Sequence, residues 1–478
     1  MTSPEKPSVP AGESARLTES VSVVLRRQVP LRSEAPRSWM GGLPMMPEHV
    51  AWPRSMSSEY PEKGERPLHF IAQVACADLP PQLWGGLGPR HGWLLLFIDP
   101  NHFDPLGPDA LRVMHIETLG SERAAPVDLG PVDDGEHRGS DDYKYCRSPA
   151  DVPPTWRRWP VDLIAVADEA FEEEDDPTRD TPSDLEMLLH EGLPVASRAP
   201  RDPKPFTWRG ALYVLNVIER PLAAPLSSLK LDKGFVSRLR QPGHVEAILA
   251  GFDERYAKIV TRPDIRAERA ALATFLERHP TPDAVIDHLH EDHRRYLAWR
   301  VSACERIASE RASILTHDLD TTMPLAAWHS LEDRLKRDTF RYFTTRRDWS
   351  SDKERHVLLE ECIKVYPDSY VANFELVADY YVDARLRHLI PPSVLSEFEP
   401  YWHCLVSDVP HRMGGYHDVN VQWGIPNGPT EDLRLFQIGS DNAMNWLWAD
   451  VGVYYVVIDM KSLQKGDLSK ARLYLDSH

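Results

Sequence analysis

Two runs near the C-terminus, with the loop between them, give the clearest structural signal of the chain: Leu433-Arg-Leu-Phe-Gln-Ile-Gly-Ser-Asp441 and Trp446-Leu-Trp-Ala-Asp450-Val-Gly452-Val-Tyr-Tyr-Val-Val-Ile458. The first is largely apolar up to Ile438, and the second is rich in β-branched and aromatic residues after Val451. Both patterns predict buried β-strands. The loop between them is held by two strands and is polar and aromatic, and such loops often carry functional side chains.

Similar strand patterns occur in the N-terminal half of the chain. They cover residues 21–29, 68–76, 92–99, 112–118 and 211–218. Proline and glycine clusters separate most of these short runs, which predicts a largely antiparallel sheet.

The middle of the chain has a different pattern. Apolar residues spaced three and four apart, with charged residues between them, predict amphipathic helices. These windows are 244–259, 265–278, 282–309, 325–343, 353–366 and 369–388. We therefore predict an α+β fold, in which a curved, mostly antiparallel sheet domain is built from both chain ends and interrupted by an all-helical insertion. The expected bounds are a flexible leader (1–20), the first part of the sheet domain (21–224), the insertion (225–399) and the second part (400–478).

Six short motifs occur in one order at the two ends of the chain. They are Gly41-Gly42-x-Pro44-x-x-Pro47 with Trp52-Pro53, Leu68-x-Phe70-x-x-Gln73 before Asp78-Leu79-Pro80, Leu95-Leu96-Phe97-Ile98-Asp99, His411-Arg412-x-x-Gly415-Tyr416, Leu435-Phe436-Gln437-Ile438-x-Ser440-Asp441 and Trp448-x-Asp450-x-Gly452. In these motifs the chain resembles the YwqG-like family, a bacterial domain family of unknown function. The resemblance implies an α+β fold with strongly curved sheets and implies no activity. Some relatives look to be encoded near secreted toxins, which suggests an immunity-like or toxin-associated role.

Charge restricts the class of partner. The net charge of −18 argues against a protein that binds nucleic acid or an anionic membrane, because either kind of binding needs a basic protein surface. Residues 162–191 contain twelve acidic side chains against Arg179 alone, so we expect an acidic loop there. Glu172, Glu173 and Glu174 lie at its centre and are candidates for binding a protein with a basic surface, which a toxin could provide.

The cysteines and the N-terminus indicate the compartment. The five cysteines form no CxxC pair, which indicates neither a disulfide framework nor a zinc site. The N-terminus has no apolar signal region, and no apolar run is long enough to span a membrane. We expect a cytoplasmic protein without a cofactor.

Candidate functional side chains lie at predicted strand ends and in loops. The binding candidates are Gln73, Asp99, Tyr416, Asp441, Trp446, Trp448 and Asp450, in addition to the three glutamates. If the protein is an enzyme, Asp441, Asp450, His411 and Ser440 would supply acid–base and nucleophilic groups. A structural reading explains the same residues as turn caps and core aromatics. His290 and His293 share a helix face and are a weak candidate for a metal site. The favoured interpretation of these histidines is a solvated helix surface.

Three functions follow from these observations. The leading hypothesis is a protein-binding module, immunity-like or toxin-associated, with an acidic surface offered to its partner. The first alternative is a hydrolase or transferase whose cleft lies between the loops 41–47 and 440–450. The second is a scaffold that acts through the helical insertion. No sequence signature of a known reaction is present, so the enzyme reading is the less favoured.

Overall fold

The computed structural model describes residues 21–56, 64–100, 110–132, 152–167, 196, 200, 204–224, 226, 229–259, 261–348, 355–366, 374–404, 411–415 and 432–476. The strands are β1 Val21–Arg27, β2 Trp39–Met40, β3 Arg54–Met56, β4 Glu65–Pro67, β5 His69–Ala75, β6 Trp93–Ile98, β7 Leu111–Ile116, β8 Trp159–Ala167, β9 Thr339–Asp348, β10 Arg355–Lys364, β11 Arg412–Gly414, β12 Asp432–Gly439, β13 Val453–Asp459 and β14 Arg472–Asp476. The helices are α1 Trp208–Ala223, α2 Lys233–Leu239, α3 His244–Arg255, α4 Pro263–Arg278, α5 Pro282–Ile314, α6 Leu325–Arg337, α7 Phe374–Val382, α8 Pro392–Cys404 and α9 Met460–Gln464.

One ten-stranded sheet joins the two ends of the chain. Its order is β14-β13-β12-β11-β1-β8-β2-β5-β6-β7, and its neighbouring strands pair antiparallel. Strand β1 is the junction, since it pairs with C-terminal β11 on one side and with β8 on the other. The predicted α+β class and the sheet built from both chain ends are confirmed.

The described residues divide into two compact units. One, the sheet unit, contains those of Met1–Tyr143, Ser148–Pro200 and Phe374–His478; the other, the helical unit, contains those of Arg201–Asn373. In the sheet unit, Phe70 of β5 and the alternate side chains Leu95 and Phe97 of β6 pack with Trp39 and Met46. In the helical unit, apolar side chains of α2–α5 pack against Val357, Leu358 and Leu359 of β10.

Two predicted elements are wrong. The run 211–218 is part of helix α1, not a strand, because Thr207 caps the helix by accepting a hydrogen bond from the Gly210 N–H, at 3.2 Å. Ala211, Val214 and Ile218 are buried and share one helical face, and a short apolar run cannot by itself distinguish a strand from a buried helix.

The window 353–366 and the end of 325–343 were predicted as helix, but they form the β9–β10 hairpin with ten paired positions. Strand β9 is rich in threonine and aromatic residues, which favour a pleated strand packed between helices. Residues 225–399, which were predicted to be all-helical, therefore contain one hairpin as well as helices. The predicted helices at 244–259, 265–278 and 282–309 are present as α3, α4 and α5.

Candidate functional site

Asp441 is the centre of a buried polar cluster in the loop between β12 and β13. One carboxylate oxygen, Oδ2, accepts hydrogen bonds from the Arg27 guanidinium and from His411 Nε2, the latter at 2.9 Å. The other, Oδ1, accepts the backbone N–H groups of Ala443 (2.8 Å) and Met444 (3.3 Å). The side chain of Asp441 is only 2% exposed. These four donors lie in the protein interior, and they engage both oxygens of the carboxylate.

The hydrogen bonds of His411 define its protonation state. The backbone N–H of Gly439 donates to Nδ1 at 3.2 Å, so Nε2 carries the proton that is donated to Asp441. Burial, and secondarily the Arg27 cation, lower the pKa of His411 to about 3. His411 is therefore a neutral imidazole with both nitrogens engaged. It has no free nitrogen with which to accept a proton from a substrate.

Arg27 supplies the positive charge of the cluster. It ends strand β1, and its side chain is 1% exposed. Burial and the nearby Arg157 guanidinium lower the pKa of Arg27 to about 9, which leaves it protonated at neutral pH. A second donor, Nη2, reaches the carbonyl of Trp402 at 3.4 Å. We call Arg27, Asp441 and His411 the buried cluster. It connects β1, the start of β11, the C-terminal loop and helix α8.

The two loops that were predicted to form a cleft approach the same segment. The Gly42 N–H donates to the Trp156 carbonyl at 2.9 Å, and Arg157 Nη1 donates to the Ala443 carbonyl at 2.7 Å. The Arg157 Nε donates to Asp379 at 2.7 Å. The indole of Trp156 packs edge-on against Trp446 and Trp448, and all three are buried. Packed side chains therefore lie where a cleft was predicted.

The remaining catalytic candidates are Ser440 and Asp450. Neither has a described side-chain hydrogen bond to the buried cluster. The Ser440 hydroxyl donates to the Gly452 carbonyl and accepts the Trp448 N–H, both at 2.9 Å. These bonds close the loop and leave the hydroxyl no described basic partner. Asp450 is exposed at the tip of the loop.

The other binding candidates have structural contacts. Gln73 is fully buried, and its amide accepts the Met45 N–H at 2.9 Å and donates to the Met45 carbonyl at 3.3 Å, which holds the 41–47 loop on β5. Asp99 forms an ion pair with Arg66 at 3.0 Å. Tyr416, Glu172, Glu173 and Glu174 lie outside the described residues, so their roles stay predictions.

His290 and His293, the weak candidate for a metal site, have no further ligand beside them among the described residues. His290 is exposed on α5, and His293 is half-buried. Within the described parts of the chain, no group of three or more His, Cys, Asp or Glu side chains is placed to hold a metal ion. Likewise, no described helix combines the length and apolar character needed to cross a membrane.

The loop was predicted from the sequence, but two residues that contact it, Arg27 and Arg157, were not. Arg27 shares the alternation of Val23 and Leu25 along β1, and this was the available signal that it points to the interior. Taken together, the buried cluster closes the sheet unit across its two chain ends. Its geometry suits structural stabilisation rather than proton transfer to a substrate.

We expect acid to destabilise the protein through His411. In the unfolded chain this side chain takes up a proton near pH 6.5, but in the folded protein it does so only at about pH 3. Its contribution is therefore complete above about pH 6.5 and is lost as pH falls towards 3, by at most about 1.4 kcal/mol per pH unit. Urea denaturation at a series of pH values measures the slope. His411→Gln keeps a donor for Asp441 without titrating, and it should show a shallower slope. Equal slopes would contradict this account.

The sequence model of a family described as a domain of unknown function, DUF1963, matches residues 38–200 and 252–477. The matched ranges omit 201–251 and include most of the residues that we expected to be an insertion. No curated protein matches the chain.

Proposed function

Because the chain belongs to the DUF1963 family of domains of unknown function, we propose its function from its own charges and geometry: it is a protein-binding module whose acidic sheet unit recognises a basic partner. The motifs quoted above support a placement within the YwqG-like group. The suggested role is immunity-like or toxin-associated, in the bacterial cytoplasm.

The observation that carries this proposal is the unequal distribution of charge. Residues 201–373 contain 28 Lys and Arg and 26 Asp and Glu, so they are almost neutral. The rest of the chain contains 27 basic and 47 acidic residues, a net charge of −20. All of the net negative charge therefore belongs to the sheet unit and the segments assigned with it. Such a field speeds the association of a basic partner and disfavours nucleic acid.

The geometry of the C-terminal loop supports binding over catalysis. The carboxylate of Asp441 and both nitrogens of His411 are engaged inside the protein, and the Ser440 hydroxyl is bonded to the backbone. The hydrolase or transferase alternative would need these groups to be released before they could act. A scaffold role for the helical unit remains a proposal without a specific observation that favours it.

The proposal predicts which charges matter. Reversing the five acidic residues Glu172–Asp176 to lysine should slow association with a basic partner at least about tenfold at low salt, with less effect on dissociation. The measurement is surface plasmon resonance against a partner captured by the wild type and identified by mass spectrometry. Rising salt should remove most of the difference, because exposed charges are screened within about 10 Å at 0.1 M.

A matched control reverses five exposed acidic residues of the helical unit, Glu246, Glu277, Asp287, Glu305 and Asp333. This variant has the same net charge as the first, so it separates local recognition from overall charge. If both variants slow association equally, only the overall field matters. If neither variant does, the proposed acidic recognition is wrong.

A further inference from the structure

Strand β8 is central in the sheet order, yet among the described strands it has a neighbour along only part of one side. On one side it pairs with β1 over seven positions, from Val21↔Ala167 to Arg27↔Val161. On the other side it pairs with β2 only at Trp159 and Pro160. One further hydrogen bond, from the Val161 N–H to the Ser38 carbonyl at 3.0 Å, ends this contact. No described strand pairs with this side of β8 beyond Val161.

The alternation of the backbone shows which groups face the opening. Val161 directs its N–H towards the β2 side, whereas the Pro160 carbonyl accepts from Gln28 on the β1 side. Successive residues of a strand direct their backbone groups to opposite sides. Leu163 and Ala165 therefore direct their N–H and C=O groups to the open side, and Asp162 and Ile164 direct theirs to β1. An open edge of this kind can accept another strand.

Burial agrees with an opening at this position. Trp159 and Val161 are buried, but no residue from Asp162 to Val166 is, and Ala165 is exposed. In contrast, every residue of β5, on the far side of β2, is buried. Side-chain exposure along β8 therefore rises where its pairing with β2 ends.

A groove of about 480 Å³ lies at this opening. Its charged lining includes the carboxylates of Glu34, Asp78 and Asp162. Three arginines neutralise two of them: Arg37 pairs with Asp78 at 2.9 Å, and Arg32 and Arg26 pair with Asp162 at 2.7 and 3.3 Å. Glu34 is exposed and has no ion pair among the described residues. Glu34 is therefore the groove carboxylate that is left for a partner's cation, and it lies on a strongly negative unit.

We propose that an extended basic segment of a partner protein adds to β8 as a strand, with main-chain hydrogen bonds to Leu163 and Ala165. This recognition by strand addition takes its affinity from main-chain pairing and its specificity from side chains in the adjoining groove. Glu34 selects a lysine or arginine side chain. The inference rests on the proposed function, since it identifies how the basic partner is bound.

A backbone substitution tests the pairing. Proline at position 165 removes the N–H that faces the opening and leaves the hydrogen bonds to β1 in place, and edge positions tolerate proline. The probe is a short fluorescein-labelled peptide of alternating valine and lysine, titrated with the full-length protein by fluorescence anisotropy. Ala165→Pro should weaken its binding at least about tenfold, whereas Ala165→Ser, which keeps the N–H, should bind like the wild type.

A second measurement does not depend on the folding of the proline variant. The same peptide with its internal amide nitrogens methylated keeps its charge but cannot donate main-chain hydrogen bonds. Wild-type protein should no longer bind this methylated peptide. Equal binding of the methylated and unmethylated peptides would overturn strand addition, as would equal binding to Ala165→Pro and wild type. Failure of the wild type to bind the unmethylated peptide would also overturn it.

Other occupants of the opening give other results. If light scattering shows a wild-type dimer that Ala165→Pro converts to a monomer, the added strand comes from a second copy, which overturns the assignment to a partner. If deletion of residues 1–20 is required before the peptide binds, the chain covers its own edge, with the same consequence. A captured partner that needs Glu172–Asp176 but binds Ala165→Pro normally would overturn only the present inference and leave the proposed function intact.

Discussion

Asp441→Ala is expected to lower the free energy of unfolding by about 3–5 kcal/mol, because it leaves the Arg27 guanidinium charged, buried and without its carboxylate. The substitution also removes the acceptor of His411 Nε2 and of two loop N–H groups. Urea denaturation monitored by circular dichroism measures this loss. The effect should be one of the largest that a single side chain of the loop can produce.

Asp450→Ala is the matched control, since this aspartate belongs to the same loop but is exposed. Its effect should stay within about 0.5 kcal/mol, as for most surface substitutions. A wild-type unfolding curve for Asp441→Ala would show that the buried cluster does not stabilise the sheet unit. A loss of some activity without a loss of stability would instead favour the hydrolase or transferase alternative.

Gly41→Ala is expected to destabilise the protein by about 2–5 kcal/mol, the sum of a left-handed backbone and a steric clash. The φ angle of Gly41 is +63°, and an added Cβ would lie 2.1 Å from the Arg157 carbonyl oxygen. That oxygen belongs to the backbone of the segment packed between the two loops, so it cannot move away easily. Thermal and urea denaturation both report the loss.

Gly466→Ala separates the two contributions. Its φ angle is +70°, almost the same, but an added Cβ would meet nothing within 4 Å. This variant should lose only about 1–2 kcal/mol, the cost of the left-handed conformation alone. If the two variants lost the same amount, the close approach of the 41–47 loop to Arg157 would not matter for stability.

The local patterns of the sequence predicted much of the architecture. The alternating and β-branched runs that became β5, β6, β12 and β13 are strands, and the periodic windows that became α3, α4 and α5 are helices. These patterns succeed because each element buries one face or both, which is visible within a single segment. They fail at α1 and at the β9–β10 hairpin, where short apolar runs fit either structure and packing against neighbouring elements decides between them.

The candidate site was likewise predictable in part from local sequence patterns and in part only from tertiary contacts. Local patterns alone place Asp441 and the tryptophans in the loop between two strands, and they locate twelve acidic residues within 162–191. The contact of Asp441 with Arg27, 414 positions away, and the end of the β8–β2 pairing at Val161 are visible only in the folded chain. The reason is physical: composition and periodicity are local, whereas the pairing of buried charges and the opening of a strand edge depend on which distant segments the fold brings together.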